Sequence, residues 1–169
     1  MRNEQEKTCC FTGHRVIPLH QYDSVYKALK TEIISLIEIG YCYFGVGGAL
    51  GFDTLAAQVI LELRQVYLHI KLILVLPCIE QTKGWSAKDI AVYEDIKNRC
   101  NKYTYTSEHY YSGCMHKRNR HLVDNSTVCI AYLTRQNGGT AFTVDYAKKH
   151  GVRVINIANY IGGKECFAY

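Results

Sequence analysis

Proline and tryptophan are nearly absent from this sequence, with two and one in 169 residues. It also has no low-complexity stretch, no internal repeat and no Ser/Gly-rich linker, so residues 1–169 read as one domain. Long apolar runs are missing as well. The longest, "IKLILVLPCI", is about ten residues, against the roughly 20 that a membrane helix needs, so no membrane partner is expected. The polar opening "MRNEQEK" lacks the apolar core of a signal peptide, which gives a cytoplasmic location as the expectation. Eight cysteines are present, but none forms a C-x-x-C pair, so zinc-site spacing is missing and no metal is expected. Cys9, Cys10, Cys42 and Cys129 fall in predicted strands, where a reduced thiol behaves as a small apolar residue. Neither G-x-G-x-x-G nor a G-K-[ST] phosphate loop occurs, so the sequence identifies no dinucleotide or NTP cofactor. A surplus of one charge sign is slight. The formal net charge of +5 permits anion binding, but a dedicated duplex-DNA binder would more often carry a longer basic stripe.

What is present is a regular alternation of strands and helices. "TCCFTGHR" reads as a short buried strand ending in a polar turn. In the segment after it, Val25, Leu29, Ile33, Leu36 and Ile37 fall at helical spacing. Asp23 or Ser24 can cap that helix and Gly40 can end it. "YCYFGV", "IKLILVLP", "KYTYTS", "STVCIAYLT" and "VRVINI" read as further strands. Helices fall between them at "TLAAQVILELRQ", from about Ala87 to Cys100, in the centre of "SGCMHKRNRHLVDN" and at "GGTAFTVDYAKKHG". This order predicts an α/β, Rossmann-like, doubly wound and mostly parallel sheet of about six strands with helices on both faces.

In such a sheet ligands sit at the carboxyl ends of the strands, so the strand-to-helix turns carry the candidate residues. Thr12, Gly13, His14 and Arg15 form the first turn. Gly47, Gly48, Gly51 and Asp53 form the second, and Gly138, Gly139 and Thr140 a third. Glycine-rich turns at helix N-termini let backbone N–H groups approach an anion. Each has a plainer explanation too: Asp53 as a cap of the second helix, Thr140 or Thr143 as a cap or packing residue of the last, and the glycines as turn formers. The basic stretch "HKRNRHLVDN" would place the first turns of its helix on the same rim. Arg118 and Arg120, two apart, cannot share a helix face, so one would point into a site and the other away. Gln81 and Trp85 lie in the loop after Pro77, where the lone tryptophan would either stack on a base or cover the core.

As an ordered set, "FTGHR" (11–15), "GGALGFDTLAA" (47–57), Pro77, Gln81 and Trp85, "RNRHLVDNS" (118–126) and "GGTAFTVDYA" (138–147) resemble the YpsA-like family of the SLOG superfamily. Relatives in that superfamily include DprA proteins, which bind single-stranded DNA, and LOG phosphoribohydrolases, which cleave nucleoside monophosphates. "MHKRN" at 115–119 is similar to a LOG segment, and the likeness implies that Arg118 meets a phosphate or ribose, with Asn119 beside it a further candidate ligand-binding residue. The LOG acidic residue after the glycine turn has no counterpart in "NGGTAFTVD". The resemblance implies a nucleotide or nucleotide-derived ligand, such as a mononucleotide or a relative of ADP-ribose or NAD.

Three readings follow, in order of preference. The first is a sensor or regulator binding that ligand. The second is a hydrolase acting on an N-glycosidic or phosphate bond of a nucleotide, with Asp53, His14 or His116 moving protons. The third is DprA-like binding of single-stranded nucleic acid. A homo-oligomer is compatible with all three.

Overall fold

The structure is a computed structural model that describes residues 4–161. The strands are β1 (Thr8–Gly13), β2 (Tyr43–Val46), β3 (Lys71–Leu76), β4 (Lys102–Tyr105), β5 (Val128–Tyr132) and β6 (Arg153–Asn156). The helices are α1 (Tyr22–Glu38), α2 (Phe52–Leu63), α3 (Ala87–Arg99), α4 (Cys114–Asp124) and α5 (Gly139–Lys149). All strand pairs are parallel, and the six strands lie in the order β4-β3-β2-β1-β5-β6. This is the doubly wound, Rossmann-like α/β fold.

Alternation along the strands builds two unequal cores. Cys9 and Phe11 of β1, Leu72, Leu74 and Leu76 of β3, and Val128, Ile130 and Tyr132 of β5 join the larger core with α1, α2 and α3. Their neighbours Cys10, Val75 and Cys129 join a smaller core with Leu122 and Val123 of α4 and Ala147 of α5. Period-two side-chain direction makes this division, and helices on both faces are why β5 is buried at every position. The edge strand β4 is exposed at three of its four residues. The predicted α1 stripe is the buried one. Its cap differs from the expectation. Gln21 holds the cap position without a side-chain capping bond, and Asp23 lies inside the first turn, where it pairs with Lys27 at 2.8 Å. The helix ends as expected at Gly40, whose φ of 105° lets Tyr41 N–H return to the Leu36 carbonyl.

Cys9, Cys10 and Cys129 are buried strand residues, Cys42 lies just before β2, and Cys166 falls outside the described residues. Among the described residues no helix is long and apolar enough to cross a membrane, and no group of three or more His, Cys, Asp or Glu is placed to hold a metal.

The chain runs outward from β1 through β2, β3 and β4, then returns to the other side of β1 as β5. β1 and β5 therefore form the topological switch point, where the loops diverge and leave a crevice at the strands' carboxyl ends.

Candidate functional site

That crevice is a cavity of about 620 Å³. Thr12, Gly13, His14 and Arg15 line it from the end of β1. Asp53 enters from the first turn of α2, Arg118 and Asn119 from α4, and Gly139 and Thr140 from the start of α5. Residues from four separate segments of the sequence thus converge on one space.

Arg118 is 4% exposed. Its Nη1 donates to the Gly47 carbonyl, and its Nε donates to Asn119 Oδ1 at 2.7 Å. Gln81 Nε2 donates to the same Gly47 carbonyl at 3.1 Å. Asn119 Nδ2 donates to Thr143 Oγ1 at 2.9 Å, and Thr143 donates in turn to the Gly139 carbonyl at 2.8 Å. The guanidinium is therefore fixed at two corners, and the network links it to the N-terminus of α5. Burial pulls its pKa below the ordinary value, Asp53 opposes that pull, and Arg15 adds to it. No ion pair within 4.0 Å joins Arg118 to Asp53 among the described residues. Carboxylate and guanidinium face the same cavity and influence each other across it without a direct ion pair.

Asp53 is 7% exposed, and its Oδ2 accepts from Ala49 N–H at 3.2 Å. Burial raises its pKa, against the opposing pull of Arg118, the Ala49 N–H and Arg15. The capping position of α2 belongs to Gly51, so Asp53 is not the helix cap. Gly138 likewise holds the capping position of α5 with φ of 91°. Thr143 bonds backward along its own helix, and Thr140 lines the cavity, so neither threonine is a cap.

The two glycine turns, alike in sequence, do different work. In the Gly47–Gly51 turn the Gly47 carbonyl is taken by Arg118 and Gln81, the Ala49 N–H by Asp53, and the Ala49 carbonyl by Thr54. A Cβ on Gly47 would lie 2.6 Å from Arg118 Nη1, and one on Gly51 would lie 2.2 Å from the Arg15 carbonyl oxygen. These glycines admit the arginine and the β1 loop. Gly47, Gly48 and Gly51 stand behind the cavity wall, where Gly48 backs onto Leu76 and Tyr93. The Gly138–Thr140 turn is the open one: beyond the adjoining residues and the helix's own backbone, nothing lies within 4 Å of a Cβ on Gly138 or Gly139. A carboxylate at the start of α2 repels phosphate. The start of α5 has no acid in its first turn and faces the cavity with its N–H donors.

His14 is 7% exposed and accepts from Thr134 N–H through Nε2 at 3.0 Å. That bond places the proton of the neutral ring on Nδ1. Burial first, then Arg135, lowers the pKa and favours the neutral form. Arg135 lines the cavity too and was missed in the sequence, although a cation just before a glycine pair was a visible signal. Met115 and the Tyr132 hydroxyl, which donates to Gln21 at 2.7 Å, carried no such signal. Within the basic stretch Arg118 and His116 reach the cavity, whereas Lys117 and His121 are exposed. Gln81 and Trp85 lie outside this cavity, in a neighbouring one that shares Arg15 and Met115 with it.

A family model described as the YspA SLOG family (YpsA) matches residues 9–160. The chain belongs to that family. Among its relatives, a UPF0398 protein of Halalkalibacterium halodurans is 30% identical over 128 residues, covering 74% of this chain and 68% of the relative. A UPF0398 protein of Bacillus thuringiensis is 28% identical over 141 residues, covering 82% and 74%. DprA of Streptococcus pneumoniae superposes with a TM-score of 0.66 at 16% identity, over 89% of this chain and 50% of that one. This YpsA family member thus spans half the length of that DprA. The DprA of Helicobacter pylori, described for its single-stranded DNA binding mode, superposes with a TM-score of 0.63 at 15% identity, over 93% and 72%. These likenesses place the fold.

Proposed function

We propose that the chain binds a nucleotide or nucleotide-derived ligand at the switch-point cavity and acts as a sensor or regulator. One observation carries this reading. Arg118 is buried, two of its nitrogens are committed to protein acceptors, and it lines a cavity that the N-terminus of α5 also faces. A guanidinium held in this way has donors left for a phosphate and loses little freedom on binding it. His14, Arg15, His116, Arg118 and Arg135 all line the cavity, against Asp53 as the one acid among its described walls. Asp53 suits ribose hydroxyls, which donate to a carboxylate as in other Rossmann-like sites.

The reading as a nucleic-acid binder is favoured by two exposed aromatic rings: Tyr110, 66% exposed, lines the neighbouring cavity, and Phe142, 40% exposed, packs at 4.2 Å against His116 of the switch-point cavity. The H. pylori DprA binds single-stranded DNA, and this fold is similar. Titration with ADP-ribose, a mononucleotide and an oligonucleotide at several salt concentrations separates the two. A compact ligand gives a shallow salt slope, whereas a strand loses about 0.7 in log K per log unit of salt for each phosphate neutralised. Steep oligonucleotide binding with no small-ligand binding would overturn the first reading. Product formation from the mononucleotide would make the site hydrolytic, with Asp53 as its acid.

A further inference from the structure

The cavity beside the switch point has about 440 Å³ and walls of another chemistry. Trp85, Tyr110 and Met115 line it together with Gln81. Trp85 is half-buried, its ring set edge-on to Tyr93 at 5.6 Å and 86°. The backbone of Tyr110 is anchored. Its N–H donates to Glu80 Oε2 at 3.2 Å, and Glu80 Oε1 lies 2.8 Å from His109 Nδ1. Two aromatic rings and a polarisable thioether form walls suited to a flat ring. Gln81 adds a polar edge. Its Nε2 is committed to the Gly47 carbonyl, which fixes the orientation of the amide, because the flipped form would set oxygen against oxygen. Gln81 Oε1 is then a buried acceptor with no partner. Arg15 and Met115 line both cavities, so the two adjoin across these side chains.

We infer that this second cavity is the base subsite of the nucleotide proposed above, and that it selects a base bearing an exocyclic amine. The inference rests on that functional reading. The phosphate sits by Arg118 and the start of α5, and the base lies among Trp85, Tyr110 and Met115. An amine on the base donates to Gln81 Oε1, which a ring carbonyl at the same position would meet as acceptor against acceptor.

Ribose 5-phosphate, AMP and IMP are the probes, followed by calorimetry and by emission from the lone tryptophan. Ribose 5-phosphate is expected to bind without changing Trp85 emission. AMP should quench it and bind roughly five- to 150-fold more tightly, the range that stacking supplies. IMP should bind roughly fivefold more weakly than AMP. Tyr110→Ala, at an exposed position, should remove most of the AMP advantage and leave ribose 5-phosphate unaffected. Trp85→Ala should do the same if it folds. AMP binding no more tightly than ribose 5-phosphate, with Trp85 emission unchanged, overturns the subsite and leaves the phosphate site standing. Equal affinity for AMP and IMP overturns the amine selection. No binding by any of the three overturns the functional reading and the subsite with it.

Discussion

Replacing Arg118 with methionine removes the central cation of the cavity and keeps most of the side chain's volume. In the fold it deletes the bonds from Nε to Asn119 and from Nη1 to Gly47. The Gly47 carbonyl keeps Gln81 as a donor. Removing the cation spares its burial but leaves the buried Asp53 without its strongest compensating charge and Asn119 Oδ1 without its donor, so the fold should lose roughly 1–3 kcal/mol. The loss in binding is read separately. A charge-assisted contact to phosphate contributes about 1.5–3 kcal/mol, a loss of roughly ten- to 150-fold in affinity. Lys117→Ala is the control, because Lys117 is exposed and its Nζ reaches Ser107 at 3.5 Å, away from the cavity lining. Calorimetric titration of both variants with ADP, alongside thermal melts, reads binding and folding separately. Equal affinities for wild type and R118M would remove Arg118 from the site and refute the reasoning.

Asp53→Asn should raise the melting temperature at neutral pH, because burial of the carboxylate disfavours its ionised form. The gain should shrink as pH falls and the wild-type carboxyl takes up its proton, and ribose-containing ligands should bind more weakly. A lower melting temperature at neutral pH would contradict the burial argument. His14 has a pKa below its ordinary 6.5, so the unfolded chain takes up a proton that the folded site refuses. Stability should therefore fall as pH drops below about 6.5, and His14→Gln should flatten that part of the melting-temperature profile. Gly51→Ala should destabilise by more than about 1 kcal/mol, because φ is 74° and the new Cβ would meet the Arg15 carbonyl. Gly139→Ala, in open space, should fold normally.

Local patterning made the fold legible. The α1 stripe, the apolar β3 run and the glycines at helix ends are short-range signals, and the elements formed in the expected order, with Cys42 left just outside its strand and the α1 cap shifted to Gln21. The candidate site was legible as a set of turns, because a doubly wound sheet brings strand ends together whatever the residues are. What each turn does was not legible. Gly47 and Gly139 look equivalent in sequence. Their difference comes from Arg118, 71 positions from Gly47, whose guanidinium fills the space a Cβ would take. The same limit applies to Gln81 and Trp85, whose loop lies on the expected rim but opens into a separate cavity. Asp53 reads as a helix cap until the position of Gly51 is known.

The most direct measurement is a crystal structure of the protein soaked with ADP. The account predicts phosphate density between the Arg118 guanidinium and the Gly139–Thr140 backbone, with hydroxyls of the ribose turned to Asp53. Phosphate bound elsewhere, for example in the groove lined by Lys71 and Lys102 at the opposite ends of the strands, with the switch-point cavity empty, would contradict it.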